Sequence, residues 1–545
     1  MSGREAALSA ALVFVVAVVV RAVAAAAMPF PRPEDTSYYV QVGRHLLEGR
    51  GLVSDALWSY ATPPLVFPRP AFEVWLPLPT FLAVIPMALL GPSYAAAQVS
   101  SVVVGSLVPV LGWRLAADVA TERRLPAGRA RTVVLGVGLT AAVYMPLVLH
   151  SALPDSTMPF AALTLAACLL MTRILRDPRG ARLGDLRLLG LGVVLGLAAL
   201  TRNEVVWLAL VWVGLVWRRP GLPVADRLRL IGVVGVVSLA LFAPWAYRNW
   251  VEFGSPLPGQ AVANALSLRG TDVFAWADPP SLARYLAEGP GRLLELRLIG
   301  LGHNLLSVLL LLGLPASAVG LATLPWFGRG AALRPLLIVS VVTFLVTALV
   351  FSVSTTWGTY LHAGGAMHVL VLVSAMLALD AGIARIGAAR GWTRPVAWLG
   401  PAFAVFGSIV FSVVLLGAFA RGSTGERDRW AAFAVALPAA GFPLGPEEGP
   451  IISDYPIWLA DTTGNPALAL PEESPADVVA LARAFPGTRG VLVVGDPEGE
   501  RIWPAVLDAG LPRSNCFVPV PLTPPPDPAL AAAIDGTRLY RLDCP

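Results

Sequence analysis

The chain has 545 residues, of which 56% are hydrophobic and only 14% are charged, and its mean hydropathy is +0.69. Soluble domains carry about 25% charged residues, so this composition excludes an ordinary soluble globular protein. The net charge is +5, every basic residue apart from histidine is arginine, and the arginines are spread over short segments, which argues against nucleic-acid binding.

Apolar runs long enough to cross a hydrocarbon core of about 30 Å recur along the chain. The first begins soon after Arg4 and is too long for the apolar region of a cleaved signal peptide, so we interpret it as a retained signal-anchor. The chain is therefore predicted to be a multi-pass protein of the plasma membrane. Its eleven predicted spans are 7–28, 94–117, 131–149, 156–174, 186–201, 203–218, 228–247, 298–320, 333–351, 364–384 and 395–419.

Arginines predict the orientation of these spans. The positive-inside rule assigns the arginine-rich connections to the cytoplasm, which leaves the N-terminus inside and the C-terminal region outside the cytoplasm. A further apolar stretch, 72–91, contains three prolines and would reverse this alternation if it crossed. We therefore predict that it is a re-entrant or interfacial segment. The arginine-rich connections are 118–131, 173–187, 218–229, 329–334 and 385–394.

Two outer loops are long, 29–93 and 249–297, and polar residues return after residue 420. We predict a transmembrane domain over 1–420 and a small extracytoplasmic α/β domain over 421–545. Cys516 and Cys544 lie in the second domain and are candidates for a disulfide there. Strands are predicted at 450–453, 467–470, 490–494 and 517–520, and a helix capped by Ser474 at 475–484.

Ionisable residues at the outer ends of the spans are the candidates for function, because such groups are costly near the membrane. Glu34 and Asp35 follow the first span, Asp155 lies between the third and fourth, Arg202 interrupts a later apolar stretch, and Arg248 ends another span. Each also has an ordinary interpretation, the acids as helix caps and the arginines as interfacial anchors. Together they favour group transfer from a lipid-linked phosphate, since an acid can accept a proton and arginines can bind phosphate.

Five motifs occur in order along the chain. They are Asp35-Thr36-Ser37-Tyr38-Tyr39, the proline-led segment from Arg69 to Gly91, Pro154-Asp155-Ser156, the run from Gly196 to Arg202, and Pro244-Trp245 through Arg248-Asn249 with Gly254-Ser255-Pro256. These motifs resemble those of the C-class (GT-C) integral membrane glycosyltransferases, in the branch of the protein O-mannosyltransferases and the lipid A aminoarabinose transferase. The resemblance covers residues 5–420 in order and spacing, and it implies an all-α GT-C-like membrane domain.

The resemblance implies transfer of a hexosyl or pentosyl group from a polyprenyl-phosphate sugar to a hydroxyl of a lipid, glycan or protein, with inversion. Asp35 would be the general base, and Asp155 would position the acceptor or the sugar. Several relatives carry Glu at the position of Thr36, and Glu34 would take the place of that acid. Some relatives use a divalent metal, and the sequence shows no ligand cluster that commits this chain to one. The implied substrate-binding residues are Tyr39, Arg202, Arg248, Tyr360 and His362.

Two other functions remain open for a multi-span chain with a C-terminal tail, the predicted domain 421–545. One is a transporter or flippase of lipid-linked sugars, which inverted repeats with broken helices would favour, and no internal repeat is visible in the sequence. The other is a non-catalytic scaffold whose tail binds a partner. The tail itself is interpreted either as a cap over the cavity or as an accessory domain.

Overall fold

The structure is a computed structural model that describes residues 3–178, 182, 184–356, 358–392, 396–495 and 501–544. The arginine-rich connections 173–187 and 385–394 lie partly outside the described residues.

The N-terminal part is helical. Its helices are α1 (Gly3–Ala27), α2 (Glu34–Leu47), α3 (Leu78–Leu90), α4 (Tyr94–Glu122), α5 (Ala127–Val143), α6 (Met145–Ser151), α7 (Thr157–Arg176), α8 (Leu186–Ala199), α9 (Val205–Trp217), α10 (Val224–Phe253), α11 (Ala261–Leu266), α12 (Leu282–Ala287), α13 (Gly289–Gly302), α14 (Ala316–Phe327), α15 (Arg334–Leu349), α16 (Ser352–Thr356), α17 (Thr359–Ala363), α18 (Gly365–Ala389) and α19 (Leu399–Ala439).

Each predicted span overlaps helical structure in the described residues, but the span 298–320 includes the break between the segment that ends at Gly313 and α14. Within the described residues, seven segments are individually long and apolar enough to cross a membrane: α1, α4, α7, α10, α13 with its extension to Gly313, α18 and α19. The bent pair α5 and α6 provides an eighth. The predicted spans 186–201, 203–218 and 333–351 fall on the shorter apolar helices α8, α9 and α15. The prediction of a helical multi-pass membrane domain is confirmed.

Residues 72–91 form a helix only over α3, which has 13 residues and contains Pro86. At about 1.5 Å per residue such a helix is about 20 Å long, short of a hydrocarbon core of about 30 Å. The interpretation of this segment as re-entrant or interfacial stays a prediction. α3 packs against α2 and α4 and so supports the helix that carries Asp35.

The packing of α8 against α10 places the loop that carries Arg202. A Cβ atom at Gly196 would lie 2.8 Å from the Cβ of Leu241, and one at Gly192 would lie 2.6 Å from the Cβ of Val237. Glycine at these two positions therefore allows the helices to approach closely. The loop after α8 then turns back toward the start of α7, where Arg202 contacts Ser156.

The tail is an α/β domain, as predicted. Its elements are β4 (Ile451–Ser453), α20 (Pro456–Thr463), β5 (Ala467–Ala469), α21 (Pro475–Ala484), β6 (Gly490–Val493), α22 (Ala505–Asp508), β7 (Phe517–Val520), α23 (Pro528–Ala533) and β8 (Arg538–Leu542). The four predicted strands and the predicted helix are present, and Ser474 forms a capping box with Asp477. Cys516 and Cys544 form a disulfide, with their Cα atoms 5.0 Å apart.

The sheet of the tail also includes β2 (Ala56–Leu57) from the first outer loop, and its strand order is β2-β5-β4-β6-β8-β7. The first four strands in this order are parallel to one another. β8 is antiparallel to both of its neighbours, β6 and β7.

The first outer loop belongs partly to this sheet. It contains β1 (Val53–Ser54), β2 (Ala56–Leu57) and β3 (Arg69–Pro70); β1 pairs with β3, and β2 extends the edge of the tail sheet beside β5. The tyrosine hydroxyl of Tyr60 also donates to the carbonyl of Ala469 at 2.6 Å. Loop and tail therefore share one buried core.

The predicted division into 1–420 and 421–545 falls inside a continuous helix. α19 runs for 41 residues and ends at Ala439. The change in hydropathy near residue 420 coincides with the change from the apolar to the polar part of α19. The structure places the start of the tail after α19, and β2 belongs to its sheet although it precedes the tail by about 400 residues in sequence.

Candidate active site

Asp35 lies in the first turn of α2, directly after the first span. Its Oδ1 accepts a hydrogen bond from the backbone N–H of Thr36 at 2.9 Å, and its Oδ2 lies 3.3 Å from Nε2 of His362. The side chain is 13% exposed. Asp35 is therefore held at one carboxylate oxygen by its own helix and at the other by a histidine from α17, about 330 residues later in sequence.

Asp155 lies in the short connection between α6 and α7 and is buried. Its Oδ1 accepts from the backbone N–H of Thr157 at 2.8 Å. Its Oδ2 lies 3.3 Å from Nδ1 of His150 and 3.6 Å from Nδ1 of His362. The imidazole of His362 thus lies between the two carboxylates that sequence analysis identified.

The two carboxylates have opposite pKa shifts. Burial, together with the negative charge of Asp155, raises the pKa of Asp35 to about 7. Burial also opposes ionisation of Asp155, but the hydrogen bonds from His150 and from the backbone N–H of Thr157, together with the electrostatic effect of the nearby imidazoles, outweigh burial and hold the pKa of Asp155 below its usual value. Environments that separate two neighbouring carboxylates in this way are typical of acid–base sites. Asp35 is the group suited to exchange a proton near neutral pH.

Burial lowers the pKa of His362 to about 3, so its imidazole is neutral at pH 7. A neutral imidazole has one donor and one acceptor nitrogen. The hydroxyl of Thr157 lies 2.6 Å from Nδ1. Both ring nitrogens have a hydrogen-bond partner when this hydroxyl donates to Nδ1 and Nε2–H donates to Asp35.

Arg202 supplies the positive charge beside this pair. Its Nε and Nη2 form a bidentate pair with Glu204 at 3.1 and 2.7 Å, and Nη1 donates to Ser156 Oγ at 2.8 Å. Burial opposes its charge, but the Glu204 carboxylate outweighs burial and raises the pKa of Arg202. Nη2 also donates to the carbonyl of Thr359 at 3.5 Å, so among the described residues one N–H, on Nη1, remains available to a ligand.

A metal could be held at the same place. His150, Asp155 and His362 each offer a ligand atom, and these atoms lie within 4.8 Å of one another. Nε2 of His150 is buried and has no hydrogen-bond partner in the described part of the chain. Two imidazoles and a carboxylate are a ligand set that suits zinc and similar divalent ions, so the residues fit such a metal.

Tyr39 is the other predicted residue that the structure brings to this cluster. It is buried on α2, one turn after Asp35, and the charges of Asp35 and Arg202 both act on its hydroxyl. Burial is the main cause of the raised pKa of this phenol, which is therefore neutral at pH 7. Tyr39 can donate a hydrogen bond to a ligand here.

Arg248 and Tyr360 have other surroundings. Arg248 donates to the carbonyl of Ala71 at 2.7 Å and lies over the rings of Trp245 and Phe253, at 5.0 and 5.2 Å from their centroids. The hydroxyl of Tyr360 is directed at the sulfur of Met367 at 2.8 Å in an apolar cluster. These contacts give Arg248 a role in anchoring the first outer loop and Tyr360 a role in the core.

Glu34 contacts the tail. Its Oε1 accepts from the backbone N–H groups of Ile457 and Trp458 at 3.0 and 3.2 Å, which caps the N-terminus of α20. Further along α2, Ser37 donates to Asp461 at 2.5 Å, and Arg44 pairs with the same carboxylate at 2.9 Å. The helix that carries Asp35 is therefore clamped to one helix of the tail at both ends.

Glu34→Gln is expected to retain sugar transfer, because the amide oxygen can still accept both backbone hydrogen bonds. Glu34→Ala removes the cap and is expected to destabilise the protein by about 0.5–2 kcal/mol. Thermal unfolding and a transfer assay on both variants would check this. Loss of transfer by Glu34→Gln at unchanged stability would instead assign Glu34 to the chemistry.

Four residues of the site were not among the predicted site residues. His150 and Thr157 contact Asp155, and Ser156 and Glu204 contact Arg202. A signal for His150 is its position five residues before Asp155 in an otherwise apolar segment. A signal for Glu204 is the presence of an acid two residues after an arginine at the end of a span.

Comparisons with known proteins identify the fold. No protein-family model and no curated protein sequence matches the chain. The crystal structure of ArnT from Cupriavidus metallidurans bound to undecaprenyl phosphate aligns over 98% of this chain and 98% of its own, with a TM-score of 0.56 and 15% identity. The apo structure of the same ArnT aligns over 97% of each chain, with a TM-score of 0.52 and 16% identity. The chain has the GT-C fold.

An oligosaccharyltransferase from Archaeoglobus fulgidus is also similar, with a TM-score of 0.48 and 12% identity over 96% of this chain and 74% of its own. The alignments with ArnT extend over nearly the whole chain and so include the tail. The resemblance that the motifs indicated is thus confirmed at the level of the GT-C fold. The protein is a multi-pass membrane protein of this fold.

Proposed function

We propose that this GT-C protein is a membrane glycosyltransferase that moves a sugar from a polyprenyl-phosphate donor to a hydroxyl acceptor, with inversion. The observation that carries the proposal is the pair of Asp35 and Asp155 joined through His362, with Arg202 beside it. A base, a second acid and a cation lie together at the ends of several helices. The undecaprenyl phosphate bound by the ArnT neighbour supports a lipid-phosphate donor.

Asp35 acts as the general base. Its carboxylate takes the proton of the acceptor hydroxyl as the oxygen forms a bond to the anomeric carbon. The bond from that carbon to the phosphate oxygen breaks at the same time, and the electron pair leaves with the polyprenyl phosphate. His362 keeps Asp35 oriented by donating to it, and the pKa near 7 makes this carboxylate a stronger base than an exposed aspartate.

Arg202 stabilises the leaving phosphate. Negative charge develops on the phosphate oxygen as its bond breaks, and a fixed guanidinium in a buried site stabilises such charge more than water does. Glu204 and Ser156 hold the guanidinium in place. Asp155 contacts the sugar or the acceptor. If a divalent ion is bound, His150, Asp155 and His362 would hold it and it would supply further positive charge to the phosphate.

Donor and acceptor meet at the outer face in this proposal. The positive-inside pattern supports an extracytoplasmic site, with the N-terminus in the cytoplasm and the tail outside. The tail then lies on the side of the acceptor, a lipid, a glycan or a protein. The disulfide of the tail is consistent with an oxidising compartment.

We expect kcat/KM to rise with pH and to level off above an apparent pKa near 7, because only ionised Asp35 can accept the acceptor proton and its pKa is raised to about 7. Transfer should be measured between about pH 5 and pH 9, with reversibility checked by returning samples to neutral pH. A profile that stays flat through pH 7 would contradict the role of Asp35 as base.

The proposal is tested by incubating the purified full-length protein with a synthetic polyprenyl-phosphate sugar and lipid, glycan and peptide acceptors. Release of polyprenyl phosphate together with glycosylated acceptor is the expected result. Binding of the donor without its consumption would favour a flippase or a scaffold instead. Mass spectrometry of envelope glycans and glycoproteins, with and without the gene, would identify the sugar and the acceptor.

A further inference from the structure

Arg21 is a fully buried arginine in α1, a membrane-spanning helix. Charged groups at this depth normally pair with an acid, but within the described residues Arg21 has hydrogen-bond partners and no ion pair. Its Nε donates to Ser151 Oγ at 2.9 Å, and its Nη1 donates to the carbonyl of Ala142 at 2.9 Å. Longer contacts of 3.4 Å reach the carbonyls of Ala141 and Ala17. Two of these four partners, Ala141 and Ala142, lie just before the break between α5 and α6, and a third, Ser151, is the last residue of α6.

The break leaves backbone carbonyls without donors. Residue 146 would donate its N–H to the carbonyl of Ala142 in a continuous helix, but Pro146 has no N–H. The two helices are bent by 51° at this point. Arg21 supplies the missing donor to Ala142, and Ser412 from α19 donates to the carbonyl of Val143 at 2.7 Å. Because lipid offers no substitute for these bonds, Arg21 makes the break tolerable inside the membrane.

The same guanidinium fixes the far end of α6. Ser151, which accepts from Arg21, is the last residue of α6, and Gly105 of α4 packs so closely that a Cβ there would collide with Ser151. Gln98 of α4 donates to the carbonyl of Ala152 at 2.9 Å. His150 lies directly before this fixed end, and Asp155 lies four residues after it.

We propose that Arg21 is a positioning residue: it caps the break between α5 and α6 and so directs α6 to place His150 and Asp155 against His362. Arg21 itself contacts neither carboxylate. Its effect on sugar transfer rests on the proposed function, whereas its effect on the position of His150 does not.

Arg21→Met in the full-length protein is the test variant, and Arg114→Met, which removes a half-exposed arginine of α4, is the control. We expect Arg21→Met to lower kcat by about 10²-fold with little change in KM, because small displacements of a site have effects of this size. We also expect faster carbethoxylation of His150 by diethyl pyrocarbonate, measured by mass spectrometry. Arg114→Met should match the wild type in both.

A second variant separates the effect of Arg21 on the position of α6 from its effect on the stability of the protein. Adding Pro146→Ala to Arg21→Met restores an N–H to the carbonyl of Ala142 and should recover thermal stability, but straightening the break should leave kcat low and His150 reactive. Recovery of kcat and of His150 protection in the double variant would overturn the proposal, as would wild-type values of both in Arg21→Met.

The two proposals fail in different ways. Absence of transfer by the wild type overturns the glycosyltransferase, while the reactivity of His150 in the variants still decides the role of Arg21. If Arg21→Met does not accumulate, Arg21→Lys takes its place, since a lysine reaches one carbonyl but cannot also hold Ser151. Intermediate His150 reactivity is then expected, and wild-type protection would overturn the proposal.

Discussion

Asp35→Asn is expected to lower the rate of sugar transfer by about 10²–10⁴ while expression, membrane insertion and thermal stability stay near wild type. Asparagine has the same shape and can still accept from the N–H of Thr36, but it cannot take the proton of the acceptor hydroxyl. The residual rate should also lose its dependence on pH near 7. Transfer of radiolabelled or mass-tagged sugar by the purified variant is the measurement.

Asp55→Asn is the matched control for this experiment. Asp55 is a buried acid of the same outer loop, where it pairs with Arg50 at 2.7 Å and lies 3.4 Å from His45. Its loss should affect stability modestly and leave the reaction intact. Turnover of Asp35→Asn at the wild-type rate would remove Asp35 from the mechanism. Equal losses in both variants would mean that any buried acid of the loop is needed for folding.

Arg202→Gln has the second largest expected effect. Loss of the guanidinium should lower kcat by about 10²–10³, the size found when one charge-stabilising donor is removed. It also leaves Glu204 buried without its partner, and breaking a buried ion pair costs about 3–5 kcal/mol. Thermal unfolding and transfer should therefore both be measured, with saturating donor to isolate kcat.

The double variant Arg202→Gln/Glu204→Gln separates these two effects. It removes the unpaired charge and allows the two amides to hydrogen-bond, so stability should return toward wild type while kcat stays low. Recovery of kcat along with stability would show that Arg202 serves only the local fold. A large rise in KM at unchanged kcat would show that Arg202 binds the donor equally in the ground state and in the transition state.

Local patterns predicted much of this molecule. Long apolar runs predicted the seven long membrane helices and the bent pair of α5 and α6, although they merged the start of α14 with the segment before it. The pattern around Ser474 predicted α21 and its cap. These elements depend on residues close in sequence. The predicted boundary at residue 420 falls inside α19, since hydropathy reports the membrane and not the end of a helix. The edge strand β2 was missed because two residues carry no periodicity.

Part of the site was also predicted from local sequence patterns. Asp35, Asp155 and Arg202 stood out as polar residues at the ends of apolar helices, and the structure brings them together. Arg248 has the same sequence context, yet it anchors a loop. Nothing in the local pattern separates these outcomes, because the direction of each side chain depends on the helices around it.

The sequence by itself determined that this is a multi-pass membrane protein with polar groups at one end of its helices, since the energetics of the bilayer act on each segment separately. Only the tertiary structure decided which of those groups meet. His362 reaches both acids, Glu34 turns to the tail and Arg21 caps a distant break, each through contacts between residues more than 100 positions apart. Such contacts depend on helix packing and on the direction of each break, which no single segment encodes.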